Sequence, residues 1–198
     1  MEFRRRQIKA QGKRVVLVPG SYNPPTHAHR ALLEAALEQV DEAVAVMPRT
    51  FPHKSYHGVA LEGRIRMLEQ MSLKPYSIAI SKGGLFLEMC EEFQAAAGRP
   101  VDLFVACGRD AAERILTWDY ADPQALDRMF ENFQLLVAAR QGDFDSPPRF
   151  RHRIHQLVMD PVHDAASSSA VRELVRARLP WSHLVPEGVA PLVDELYR

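Results

Sequence analysis

The chain carries no net charge: 25 lysines and arginines balance 25 aspartates and glutamates. No global field then draws it toward nucleic acid or a membrane surface, and neither is expected as a partner. The same neutrality gives little colloidal repulsion and mildly favours self-association into a homo-oligomer. Only two cysteines occur, Cys90 and Cys107, with no C-x-x-C pair. That excludes a disulfide framework and suits a reducing cytoplasm. No apolar run approaches the ~20 residues of a membrane span. The charged start, "FRRRQIKAQGKR", is followed by no apolar stretch, so no signal peptide is expected. Internal repeats and low-complexity tracts are absent.

What the sequence does have is alternation. Short β-branched or apolar runs lie at 14–20, 42–48, 76–81, 101–108, 134–140 and 155–160. Between them fall helical patterns at 27–40, 61–73, 85–98, 109–118, 122–133, 167–179 and 188–198, with Gly98 as the stop of the third. The strands are apolar throughout rather than at every second residue. This predicts an α/β fold: a doubly wound parallel sheet with helices on both faces. Residues 1–198 read as one domain, with 1–13 a solvated basic N-terminal extension and 167–198 a C-terminal helical part. Right-handed crossovers put every strand's C-terminal end on one edge, where ligands bind. The segments to watch are 20–29, 48–57, 108–118, 140–150 and 160–172.

The most informative of these is "GSYNPPTHAH", 20–29. Gly20 permits a close backbone approach, and Pro24 and Pro25 stiffen the turn. The amides and dipole of the following helix attract an anion. Thr26 and His29 lie on one face of its first turn, so a hydroxyl and an imidazole share a phosphate-sized space. His27 should point elsewhere. Neither a Gly-Lys-Ser/Thr phosphate loop nor a G-x-G-x-x-G fingerprint occurs.

"GSYNPPTHAH" resembles the first signature of the nucleotidylyltransferase superfamily, G-x-F-x-P-x-(H/T)-x-G-H, with Tyr22 for Phe and Ala28 for Gly. "ASSSAVR", 166–172, resembles the second, I-S-S-T-x-x-R, with Ala166 for Ile and Ser169 for Thr. The two lie in the right order, each between a strand and a helix. The similarity extends over nearly the whole chain toward nicotinate or nicotinamide mononucleotide adenylyltransferases. It includes "PHK" (52–54), "GRIRMLE" (63–69), "GRDAAERILTW" (108–118) and "LVPEGVAPLVDELYR" (184–198). The resemblance implies a Rossmann-like sheet and a reaction joining ATP to a pyridine mononucleotide, with release of pyrophosphate.

The resemblance also implies roles. His29 donates to the ATP phosphates and Thr26 bonds a phosphate oxygen beside it. Ser167, Ser168 and Ser169 open a helix whose start and hydroxyls face the β/γ-phosphates, and Arg172 grips a phosphate with two bonds. Lys54 closes over the reacting groups. Gly20, Ser21 and Tyr22 line the junction of the two substrates through their backbone, with Asn23 on the acceptor side. Gly108 ends a strand, Asp110 accepts from ribose hydroxyls, Trp118 stacks on the pyridine, and Arg140 approaches the adenine or phosphates. Mg²⁺ is expected as cofactor, held mainly by ATP phosphates and water.

No base–nucleophile pair stands out, and none is needed. A phosphate monoester has a second pKa of about 6 and attacks as a dianion. His53/His57 and His152/His155 read as loop or surface histidines, with no ligand set for a metal. One departure stands out: "KGGLFLEMC", 82–90, lacks the threonines that the family carries near its pyridine pocket. This keeps open a related transferase with another phosphorylated acceptor or CTP. A non-catalytic nucleotide-binding regulatory protein is the alternative of another class.

Overall fold

The computed structural model describes residues 1–5, 13–51, 58–71, 74–138, 144–160, 162 and 165–197. In chain order its elements are β1 (Glu2–Arg5), β2 (Arg14–Pro19), α1 (His27–Leu37), β3 (Glu42–Pro48), α2 (Leu61–Glu69) and β4 (Ser77–Ser81). Then come α3 (Phe86–Ala97), β5 (Asp102–Gly108), α4 (Arg109–Thr117), α5 (Ala125–Asn132), β6 (Gln134–Ala138) and β7 (Ile154–Leu157). The chain closes with α6 (Ser168–Ala177) and α7 (Ala190–Tyr197). The predicted α/β alternation is thus present, with boundaries moved by a few residues. Gly98 ends α3 in the left-handed region at φ 67°.

The strands form one seven-stranded sheet in the order β1-β4-β3-β2-β5-β6-β7. From β4 to β7 every pairing is parallel. Uniform apolarity has the expected cause: both faces are covered. Val16 and Val18 of β2 pack with Leu33, Ile65, Val171 and Val193 of α1, α2, α6 and α7. Val15 and Leu17 turn the other way, into Met89, Phe93, Ile115 and Phe130 of α3, α4 and α5. Each such side chain, fully buried, contributes about 1.5–3 kcal/mol relative to exposure. Successive side chains of a strand point to opposite faces, so each strand feeds both clusters.

β2 is flanked by β3 on one side and β5 on the other. The chain first winds outward through β3 and β4, then returns across β2 to build β5, β6 and β7. The strand order reverses there, opening a crevice beyond the C-terminal ends of β2 and β5. Gly20 and Gly108 stand at its mouth.

The N-terminus differs from expectation. Residues 2–5 are not solvated chain but an edge strand, antiparallel to β4. Phe3 packs edge-on against Phe93, with ring centroids 6.1 Å apart. Arg5 lies over the Tyr76 ring at 4.3 Å and donates to the Tyr76 carbonyl at 3.1 Å. Arg4 grips Glu62 through two 2.9 Å bonds. The basic residues thus bring apolar stems and forked donors to a sheet edge that otherwise exposes unpaired amides. Between β6 and β7 a 3-10 turn covers Pro148–Arg153.

Candidate active site

The loop after β2 is held rigidly. Gly20 N–H donates to Val46 O at 3.0 Å. A Cβ at Gly20 would lie 3.0 Å from the Tyr22 ring, so a larger residue here would press the ring out of its present position. Tyr22 adopts φ 47°, its ring is fully buried, and its hydroxyl donates to Val18 O at 2.5 Å. Burial pushes the hydroxyl's pKa far above its ordinary value. The following peptide, Asn23–Pro24, is cis. From α2, the buried Arg64 guanidinium donates to Ser21 O at 3.0 Å.

The imidazole of His29 caps its own helix. Thr26 N–H donates to His29 Nδ1 at 3.1 Å, and Thr26 Oγ1 lies 2.8 Å from the same nitrogen. A backbone N–H can only donate, so Nδ1 is an acceptor and the ring proton sits on Nε2. The Tyr22 ring backs the imidazole, with centroids 5.1 Å apart.

The second signature folds onto this loop. Ser167 caps α6 by accepting from Ala170 N–H at 3.1 Å. Ser168 Oγ donates to Pro24 O at 2.8 Å, and Thr26 Oγ1 donates to Ala166 O at 3.1 Å. Arg172 donates through Nη1 to Asn23 O at 2.6 Å and through Nη2 to Ser169 Oγ at 3.1 Å. Segments about 140 residues apart are therefore cross-linked three times at one sheet edge.

These bonds revise several readings. Thr26 is fully buried, and its hydroxyl faces His29 and the Ala166 carbonyl rather than a phosphate. It positions the imidazole. Asn23, expected on the acceptor side, is 3% exposed. Its Oδ1 accepts from Val59 N–H at 3.4 Å and from the Tyr197 hydroxyl of α7, so it anchors the loop. The Ser168 hydroxyl and one arm of Arg172 likewise bond loop carbonyls here. The physical cause is common: a turn between two prolines leaves carbonyls without strand or helix partners, and nearby donors satisfy them.

A cleft of about 480 Å³ opens at the β2/β5 crevice. Gly20, Ser21, Ala28 and His29 line one side, and Cys107 and Gly108 another. No atom lies within 4 Å of a Cβ position at Gly108, so a ligand has open access to that backbone. α4 presents Ala111, Arg114 and Ile115, one stripe at helical spacing, and Trp118 follows at its C-cap in extended backbone. Trp118 is 43% exposed, available for stacking. Asp110 sits in the exposed first turn of α4 but off this stripe, and is not part of the cleft lining. Ser167, Ser168, Ser169 and Arg172 also stand outside the lining, bracing the loop that carries His29. Lys54 and Arg140 lie outside the described residues, as do His53 and His57. His155, read as a loop or surface histidine, instead lies in β7 and bonds Gln134 Oε1 at 2.7 Å. Among the described residues no cluster of three His, Cys, Asp or Glu gathers for a metal. Burial pushes the Cys107 thiol up to about 12 and that of Cys90 higher still, so neither supplies a thiolate at neutral pH.

Three contributors went unassigned from the sequence. Arg64 was visible as an arginine on the apolar stripe of α2, a position that demands a buried partner. Glu92 accepts from Lys82 N–H at 2.9 Å, Gly83 N–H at 3.1 Å and the Ser81 hydroxyl at 3.1 Å. Glu88 takes Leu85 N–H at 3.0 Å. Together these two carboxylates shape the 81–85 turn against the cleft. Nothing in local spacing signals them.

Comparison with known proteins agrees with this architecture. Residues 17–174 match the cytidylyltransferase-like family model. The chain is 24% identical to a probable nicotinate-nucleotide adenylyltransferase of Carboxydothermus hydrogenoformans, over 94% of this chain and 99% of that one. It is 28% identical to a protein of the same name from Moorella thermoacetica, over 93% and 92% of the two chains. Its fold is similar to that of Plasmodium falciparum nicotinic acid mononucleotide adenylyltransferase complexed with APC. That match has a TM-score of 0.67 at 15% identity, covering 92% of this chain and 95% of the other. Among the described residues, no helix is long and apolar enough to cross a membrane. With two cross-linked signatures at the reversal point of a parallel sheet and a match spanning 17–174, the chain belongs to the cytidylyltransferase-like family.

Proposed function

We propose that this protein transfers the AMP moiety of ATP to nicotinate mononucleotide, or to its nicotinamide counterpart, giving a pyridine dinucleotide and pyrophosphate. The observation that carries the reading is His29 lining the mouth of the β2/β5 crevice with its Nδ1 accepting Thr26 N–H at 3.1 Å, which assigns the ring proton to Nε2. The relatives' shared name supports the same reading.

The acceptor's phosphate is the nucleophile. It is mostly dianionic at neutral pH and needs no base. Its attack on the α-phosphorus forms one P–O bond as the bond to the β-phosphate oxygen breaks, and pyrophosphate leaves with the electron pair. The protein's task is alignment and charge stabilisation. His29 Nε2–H donates to the oxygen on which charge grows. Arg172, Ser169 and the N-terminus of α6 supply positive field for the triphosphate. Gly20, Ser21 and Gly108 admit the substrates against bare backbone, and Trp118 stacks on the acceptor ring. Lys54 and Arg140 add cationic charge, and Asp110 accepts a hydrogen bond from a ribose hydroxyl on approach to the α4 start. A Mg²⁺ held through the ATP phosphates would neutralise part of the polyanion's charge, while this chain's residues supply alignment and hydrogen-bond donors. Two thiols kept reduced and buried suit a cytoplasmic setting.

The test is pyrophosphate release by purified protein given ATP or CTP with nicotinate mononucleotide, nicotinamide mononucleotide, phosphopantetheine or cholinephosphate. Turnover with ATP and a pyridine mononucleotide is expected. Turnover only with CTP, or only with a non-pyridine acceptor, refutes the reading.

A further inference from the structure

Resting on the reading just given, we propose that Arg114 is the residue that selects the acceptor's ring substituent, and that it selects a carboxylate over a carboxamide. The wall of the cleft facing α4 is Gly84, Leu85, Phe86 and Leu87, which bring no polar side-chain atom. A charged substituent entering there loses water; the amides at the start of α3 are neutral donors, so a formal counter-charge has to come from another element. The charged and hydroxyl-bearing side chains of the lining beyond His29 and Ser21 are Arg114, Tyr120, Asp122 and Arg128. Three are engaged. Tyr120 donates its hydroxyl to Ile115 O at 3.1 Å. Asp122 accepts from Gln124 N–H at 2.9 Å and from Arg128 Nη2. These bonds hold the Asp122 carboxyl below its ordinary range. Arg114 makes no hydrogen bond or ion pair among the described residues, and it stands one turn before Trp118 on the cleft-facing stripe of α4.

The chemistry of the guanidinium decides the preference. It carries five N–H donors and no acceptor, in a fork that matches a carboxylate bidentately. A carboxamide offers one oxygen to that fork and turns two N–H donors toward it without an acceptor. A ring stacked on Trp118 brings its substituent toward the preceding turn of the helix, where Arg114 stands. The engaged Asp122–Arg128 pair presents no competing charge, because each neutralises the other.

The experiment is steady-state kinetics with ATP and, separately, nicotinate and nicotinamide mononucleotide, on the wild type, Arg114→Gln and Arg114→Lys. Arg114 is exposed, so both variants should fold, and melting curves verify this. The wild type should favour the nicotinate substrate in kcat/KM. Arg114→Gln should reduce that ratio about 100-fold, chiefly through KM, in the range set by loss of a charge-assisted pair. Arg114→Lys should retain part of the preference, keeping the charge but not the fork. A ratio unchanged within twofold in Arg114→Gln, or an equal fall for both acceptors, overturns the assignment while leaving the proposed reaction standing. Wild-type protein inactive with both acceptors refutes the reaction itself, and the Arg114 assignment with it.

Discussion

Replacing His29 in two different ways separates its chemical role from its structural one. The imidazole uses Nδ1 to accept Thr26 N–H at 3.1 Å, which puts the ring proton on Nε2, the atom proposed as donor to substrate. His29→Asn puts an amide oxygen where Nδ1 stood and nothing where Nε2 stood. The cap is kept and the donor is lost. Loss of one transition-state donor costs about 10²–10³ in kcat, or roughly 2.7–4 kcal/mol. The melting temperature should stay within about 1–2 °C of wild type, since the orphan N–H remains paired. His29→Ala removes both atoms. The fully buried Thr26 then keeps an unpaired N–H, costing about 1 kcal/mol. For a chain of this size that is about 2–4 °C of melting temperature. Its kcat should fall about as far as that of the Asn variant. The assays are pyrophosphate release at saturating ATP and nicotinate mononucleotide, and thermal melting followed by circular dichroism. An Asn variant with kcat within threefold of wild type, beside an Ala variant that is strongly impaired, would mean that His29 only shapes the loop.

Three further outcomes are expected. Tyr22→Phe deletes the buried bond to Val18 O and should cost about 1–2 kcal/mol in urea unfolding, with an unchanged m-value; no loss in midpoint would contradict the bond. Arg172→Lys keeps a charge but cannot reach Asn23 O and Ser169 Oγ together, so KM for ATP should rise about tenfold, or ~1.4 kcal/mol; an unchanged KM would remove Arg172 from phosphate binding. Partial burial pushes the Glu92 carboxyl up, but the N–H groups of Gly83 and Lys82 and the Ser81 hydroxyl outweigh it and hold the group below its ordinary 4.5. A depressed carboxylate stabilises fully above the unfolded value and loses that contribution as pH falls through the folded one. Glu92→Gln should therefore melt below wild type at pH 7, with the gap closing below pH 4.5; a gap independent of pH would show the carboxylate's charge to be irrelevant.

The sequence by itself determined the layered α/β plan, because a strand buried on both faces must be apolar at every position, as Glu42–Pro48 and Ser77–Ser81 are at their centres. It also determined that residues 20–29 and 166–172 meet at one edge, since parallel connection puts both there. Local spacing was enough to put Thr26 and His29 on one helical turn. It did not say which of them faces outward. That depends on the Ala166 carbonyl, 140 positions away, which draws the Thr26 hydroxyl inward. The same holds for Asn23, captured by Val59 and Tyr197, and for Arg64, buried beneath Ser21. The edge strand at Glu2–Arg5 escaped notice because four residues with alternating exposure become a strand only when an unpaired neighbour such as β4 is present. Periodicity is a property of adjacent residues and survives in the sequence; the partner of a polar side chain is a property of the assembled surface, and only the tertiary structure supplies it.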